Sequence, residues 1–272
     1  MAMRSVLTIA GSDSSAGAGV QADLKTFAAL GVYGTSVVTA LTAQDTSDVT
    51  AVHEAPPEFI AAQIDAVVQD IRPEAVKTGM LASAAIIEVV AEKLRHYALP
   101  NVVVDPVMLS KGGARLLRED AIEALVQLML PLADVVTPNI PEAEELVGYK
   151  IRTYLQIHEA ARDIHAMGPR NVVIKGGHRE GETVVDTLFD GREIHEFSGP
   201  RIHTTSTHGT GCTFASAIAA NLALGTTLPE AVAAAREYLE GALINAYPVG
   251  HGHGPVNHFW RWEDAREKDG EG

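Results

Sequence analysis

A single cysteine, Cys212, stands among the 272 residues of this chain. That excludes an intrachain disulfide and the paired spacing of a zinc site, and it favours a reducing compartment. Long apolar runs are missing as well. The longest stretch without Asp, Glu, Lys or Arg, residues 202–229, is rich in Gly, Thr, Ser and Ala and includes His203 and His208, so it does not describe a lipid-spanning helix. The opening apolar run, residues 6–10, is too short for a signal segment and reads as a first strand. No basic cluster interrupts a formal net charge of −14, which argues against nucleic acid and anionic membranes as partners. There is no Walker A pattern, internal repeat or Pro/Ser-rich linker. What remains is a cytoplasmic globular protein, in which phosphates would be held by local amides, a few cations and a metal.

What is present is regular. Apolar runs of strand length, at residues 6–10, 36–42, 75–78, 102–105, 134–137 and 172–175, alternate with stretches of helical period at 20–30, 58–71, 84–96, 119–130 and 158–167. Such alternation implies α/β architecture with a mostly parallel sheet covered on both faces. Beyond Lys175 the pattern changes. Residues 183–189 and 193–197 flank Asp190-Gly191-Arg192 and predict a β-hairpin with an Asp-Gly turn. Two helices follow, near 210–224 and 229–246. One domain spanning residues 1–272 is the economical organisation, with the charged residues after about 262 a frayed tail.

Ligands of open α/β sheets bind outside the carboxyl ends of the strands. Polar residues collect at those ends here: Gly11 to Gly19, Thr42 to Asp45, Lys77 to Met80, Asp105-Pro106, Thr137-Pro138-Asn139 and Lys175 to His178. The turn Thr207-His208-Gly209-Thr210-Gly211-Cys212-Thr213 opens a small-residue helix. Its successive amides can converge on an anion, and the helix N-terminus would push the Cys212 thiol pKa down. A tight turn with Cys212 as a small buried hydrophobe is the plainer alternative.

Other segments also read two ways. Gly17-Ala18-Gly19-Val20-Gln21-Ala22 matches a dinucleotide fingerprint, but the acidic residue expected some 20 positions on is misplaced, so a nicotinamide oxidoreductase is a minor alternative. Asp23 could simply complement its helix N-terminus. Gln44 could cap loop backbone, or read the edge of an aminopyrimidine with its paired donor and acceptor. Asn139 and Glu142 have capping-box spacing, while with Asp105 they could hold hydrated Mg²⁺ beside phosphates. Lys175 ends a buried-looking strand before two glycines, where a phosphate could approach. The tail His251-Gly252-His253-Gly254 to His258 reads as a flexible closing loop rather than a metal site, and Trp260 and Trp262 as packing.

Taken together, these segments resemble the ribokinase-like superfamily, and within it the hydroxymethylpyrimidine/phosphomethylpyrimidine kinases of thiamin biosynthesis. The resemblance runs from Leu7 to about Phe259. It rests on Ala10-Gly11-Ser12-Asp13 with Gly17 to Phe27, Thr39 to Gln44, Lys77-Thr78-Gly79-Met80-Leu81, Val104 to Met108, Thr137-Pro138-Asn139 with Glu142, Lys175 to His178, His208 to Thr213, and Gly254-Pro255-Val256 with His258-Phe259.

The resemblance implies a three-layer α/β/α sandwich and a likeness to homodimers. It also implies two ATP- and Mg²⁺-dependent steps, phosphorylation of 4-amino-5-hydroxymethyl-2-methylpyrimidine and then of its monophosphate. Gln44 would bind the pyrimidine, with Asp23 nearby and Ala18, Met80 and Val107 as apolar walls. The amides of Gly209, Thr210, Gly211 and Cys212 would stabilise the transferring phosphoryl group, and the Cys212 thiolate would take the hydroxyl proton. Lys175 would contact ATP phosphates, and Asp105, Asn139 and Glu142 would organise Mg²⁺. Two departures stand out: Ala16 replaces a usual glycine, and Asp45 a usual asparagine. The charge of Asp45 would weaken the second phosphorylation. A pyridoxine/pyridoxal kinase and a non-catalytic pyrimidine-binding module are the rival readings.

Overall fold

The computed structural model describes residues 3–108, 117 and 119–262. The expected frayed tail after 262 lies outside the described residues.

Among the described residues, eight strands form one sheet, and two more form a separate antiparallel ribbon. The first strand, β1 (Ser5–Ala10), is buried at every position, as a central parallel strand covered on both faces must be. It pairs in parallel with β2 (Tyr33–Val38) on one side and β5 (Ala75–Thr78) on the other. Beyond β5 come β6 (Val102–Val104), β7 (Val135–Val136) and β8 (Val172–Ile174), all parallel. The hairpin of β9 (Thr183–Phe189) and β10 (Ile194–Pro200) closes that edge antiparallel, at the Asp-Gly turn the sequence predicts.

Alternating strand residues feed two cores. Leu7, Ile9, Val76, Val102, Val104 and Val136 pack under α2 (Pro57–Asp70), α3 (Ala84–Tyr97), α4 (Glu119–Ala124), α5 (Ile140–Val147) and α6 (Tyr154–Ala166). Val6, Ala75, Val103, Val135 and Val173 pack under α1 (Gly19–Ala29), α7 (Thr210–Ala223) and α8 (Leu228–Ile244). This is the expected three-layer sandwich.

One expected strand divides. Residues 36–42 split at Thr39, whose N–H donates to Ala10 O and whose hydroxyl donates to Met80 O. The chain then leaves the sheet as β3 (Ala40–Gln44), which pairs with β4 (Val49–Glu54) to form the ribbon. The ribbon stands above the carboxyl end of β1 and carries Thr42 and Gln44 to the site. Chain order reverses between β1 and β5, which makes that end of the sheet a topological switch point, the usual place for a ligand crevice.

Candidate active site

Two adjoining chambers open at the carboxyl ends of the strands. The first, about 300 Å³, is lined by Ala18, Gln44, Met80, Asp105, Val107, Asn139, Glu142, Lys175 and the turn from Thr207 to Cys212. The second, about 280 Å³, lies toward the β9–β10 hairpin and α8, between Val184, Arg201, Ile202, Phe214, Leu239 and Leu243. Both linings include Asn139, Lys175, Thr210 and Gly211. Those residues form the junction.

All but one of the anticipated site residues line the first chamber. The exception is Asp23, which is fully buried beneath it. Its carboxylate accepts from Lys77 Nζ (2.9 and 3.0 Å), Thr8 Oγ1 (2.6 Å) and Ser216 Oγ (2.6 Å). The expectations of a substrate contact and of a helix-terminus charge both give way to a buried ion pair. The sequence signal was present in Lys77, the one charged residue of a wholly buried strand.

The turn itself is built on glycine. Gly209 is the residue before α7 and has φ +78°, and a Cβ there would meet Gly17 O at 1.8 Å. No side chain caps α7, so its first amides are open to an anion at the junction. A Cβ on Gly211 would approach Lys175 Nζ at 3.3 Å.

Cys212 departs from expectation. Burial pushes its thiol up to about 11, with Asp23 and Asp105 adding to the rise, and Lys77 and the Gly19 N–H only partly offset it. The low-pKa thiolate expected from the helix terminus is therefore absent in the unliganded protein. Desolvation outweighs the dipole.

Across the junction, Lys175 Nζ donates to Asp105 Oδ1 (2.7 Å) and lies 3.9 Å from Glu142 Oε2. Burial alone would lower the Lys175 pKa, but the two carboxylates outweigh it and raise it. Burial pushes Glu142 up to about 7, against the pull of Lys175. The Asn139–Glu142 capping box also forms, with Glu142 N–H donating to Asn139 Oδ1 and Asn139 N–H to Glu142 Oε2. Asn139 Oδ1 thus caps the helix with one of its lone pairs, so the cap and a place beside a hydrated metal ion are compatible. No cluster of three metal-ligating side chains occurs among the described residues. Two hard carboxylates, Asp105 and Glu142, beside Lys175 would suit a mostly hydrated Mg²⁺.

Two site residues escaped assignment from sequence. Asp13 accepts from the N–H of Ser15, Gly17 and Ala18, from Ser15 Oγ, and pairs with His208 Nε2 at 2.7 Å. Burial opposes its charge, but these donors overcome that and hold the carboxyl down to about 2. His208 packs so closely on Gly17 that a Cβ there would lie 2.3 Å from the ring. Asp45 is exposed and does not line the chamber; its carboxylate accepts from the Ser47 and Asp48 N–H groups in the ribbon turn. The closing loop is tied down too, with His258 buried and its Nε2 3.1 Å from Thr213 Oγ1. No helix among the described residues is long and apolar enough to cross a membrane.

Comparison with known proteins places this arrangement. Residues 13–257 match the family model of phosphomethylpyrimidine kinase. The chain is 55% identical over 264 residues to the thiamine biosynthesis bifunctional protein ThiED of Geobacter sulfurreducens, covering 97% of this chain and 54% of that protein. It is 48% identical over 260 residues to the hydroxymethylpyrimidine/phosphomethylpyrimidine kinase of Bacillus subtilis, covering 95% of this chain and 96% of that one. An ADP complex of Bacillus subtilis pyridoxal kinase superposes with a TM-score of 0.89 at 41% identity, covering 94% of this chain and 98% of that one.

Proposed function

Because the chain belongs to the phosphomethylpyrimidine kinase family, we propose that its two chambers hold a hydroxymethylpyrimidine and ATP, with phosphoryl transfer at their junction. The observation that carries this reading is the shared lining: Lys175, Thr210 and Gly211 face both chambers. An in-line displacement needs a donor on one side, an acceptor on the other and positive groups between them.

In the first chamber Gln44 reads the aminopyrimidine edge, and Ala18, Met80 and Val107 enclose the ring. In the second, Phe214, Leu239 and Leu243 offer an apolar bed for the nucleotide base. Binding of nucleotide exchanges the internal partners of Lys175, from Asp105 to phosphate oxygens. A bound Mg²⁺ near Asp105 and Glu142 would neutralise phosphate charge. The amides of Gly209 to Cys212 stabilise the equatorial oxygens in flight, an electrostatic contribution that is usually the largest. Cys212, protonated in the free protein, positions the hydroxymethyl group; it accepts the proton only when a bound ligand shifts the local charge.

Both phosphorylations belong to this reading, since the Asp45 carboxylate is spent on its own turn. We also take the protein to act in the cytoplasm as one domain and as a homodimer, the ribbon leaving Leu41 and Val52 exposed. The chain spans about half the length of the bifunctional relative it matches, 54%.

Steady-state kinetics of Gln44→Ala test the assignment of the chambers. The pyrimidine KM rises at least about tenfold, the worth of one or two buried hydrogen bonds, while the ATP KM stays within twofold. A change in the ATP KM alone would reverse the assignment.

A further inference from the structure

Gln44 is held at its backbone from both sides. Ser14 Oγ donates to Gln44 O (2.7 Å) and accepts from Gln44 N–H (2.8 Å). Its carboxamide is bracketed by Thr42 Oγ1, 3.2 Å from Oε1, and His208 Nε2, 3.4 Å from Nε2. Proton counting decides which way round the amide works. Thr42 has one hydroxyl proton, and it goes to Ser12 O at 2.8 Å, leaving only lone pairs toward Gln44. His208 Nε2 faces the Asp13 carboxylate at 2.7 Å, which requires an N–H on that nitrogen whether the ring is neutral or charged. With the amide nitrogen toward His208, donor opposes donor and acceptor opposes acceptor. Turned half a revolution about its last side-chain bond, the amide donates to the Thr42 lone pair and sets its oxygen, rather than a second donor, against the His208 N–H that Asp13 already holds.

We infer that Asp13, His208 and Thr42 are positioning residues that fix the sense of the Gln44 amide, with its oxygen toward His208 and its nitrogen toward Thr42. One lone pair and one N–H then remain for the chamber, in a fixed order. The free lone pair accepts from an exocyclic amino group, and the free N–H donates to the adjacent ring nitrogen. A 4-oxo pyrimidine presents the opposite pattern, with an acceptor at position 4 and a donor on the ring. The device therefore selects amino over oxo pyrimidines. The same His208 precedes Gly209, so acceptor recognition and the phosphoryl turn share one anchor. This inference rests on the proposed reading of the first chamber.

The test compares kcat and KM for 4-amino-5-hydroxymethyl-2-methylpyrimidine and its 4-oxo analogue, with ATP and Mg²⁺, in the full chain. Thr42→Val and His208→Phe each lower the amino-over-oxo preference in kcat/KM about tenfold. The change appears in KM for the amino compound, while the ATP KM is unmoved. His208→Gln, which restores an N–H donor, recovers most of the preference. Unchanged preference in Thr42→Val and His208→Phe, or equal kcat losses for both compounds at constant KM, would overturn the inference. If His208→Phe does not fold, Thr42→Val decides alone, since it removes one exposed-side hydroxyl from the ribbon. A wild-type protein that turns over neither compound refutes the underlying reading instead, and that outcome is distinct from turnover without a mutational effect.

Discussion

Cys212 sits where its motif places it, while its thiol shifts opposite to the direction the helix terminus alone implies. Its place at a glycine turn before a helix was plain in the sequence, because the motif fixes the backbone. Its titration was not, because the opposing contribution comes from desolvation and the nearby Asp23 and Asp105 charges, which no local pattern reveals. The two effects differ in sign, and burial wins. Replacing the thiol should therefore cost the transfer step rather than binding. We expect Cys212→Ala to lower kcat by about 10²–10⁴-fold, with pyrimidine affinity within threefold by calorimetry. Turnover within a few-fold of the parent would leave the amides as the sole catalysts. Ala16 was legible as a departure but not as a strained one: its φ of +61° is left-handed. Asp13 and His208 lie 195 positions apart, and only the fold brings them together.

At the scale of elements, the parallel strands and their covering helices were readable, since each is a near-continuous apolar run or an amphipathic period. The ribbon was not. β4 is mostly exposed and lacks the alternation of a half-buried strand, so its sequence carries no hydrophobic signal. The division of residues 36–42 was also hidden, because the side-chain pattern continues across Thr39 while the hydrogen bonds change partners. Beneath the site, four elements are joined by one carboxylate: Asp23 on α1 takes Thr8 from β1, Lys77 from β5 and Ser216 from α7. Removing Lys77 would leave that carboxylate buried without its counter-charge. Lys77→Met should cost about 3–5 kcal/mol in urea unfolding. Lys77→Met with Asp23→Leu should recover much of the loss, whereas equal loss in both variants would mean that packing rather than charge is at stake.

For the whole molecule, the α7–α8 side is sealed by a buried histidine. Burial, with a smaller effect of Lys25, depresses His258 to about 4 from an ordinary 6.5. Such a group is neutral when folded and charges readily when unfolded. Below pH 6.5 the unfolded chain binds the extra proton, so stability falls as pH drops from 6.5 toward 4 and is flat above 6.5 on this account. The full shift corresponds to about 3 kcal/mol. His258→Gln should flatten that limb of the stability–pH profile measured by denaturant melts. A wild-type profile without the slope would place the imidazole in contact with water.

At the same scale, the proposed reaction is phosphoryl transfer from ATP to a hydroxymethylpyrimidine, and then to its monophosphate, where the two chambers meet at Lys175 and Gly211. The direct measurement is mass-resolved product analysis after incubation with ATP and Mg²⁺. The hydroxymethylpyrimidine, its monophosphate and pyridoxal are offered in parallel. The account predicts pyrimidine monophosphate followed by diphosphate, with pyridoxal phosphate a minor product. Pyridoxal phosphate as the main product, or no phosphorylated pyrimidine at all, would contradict it.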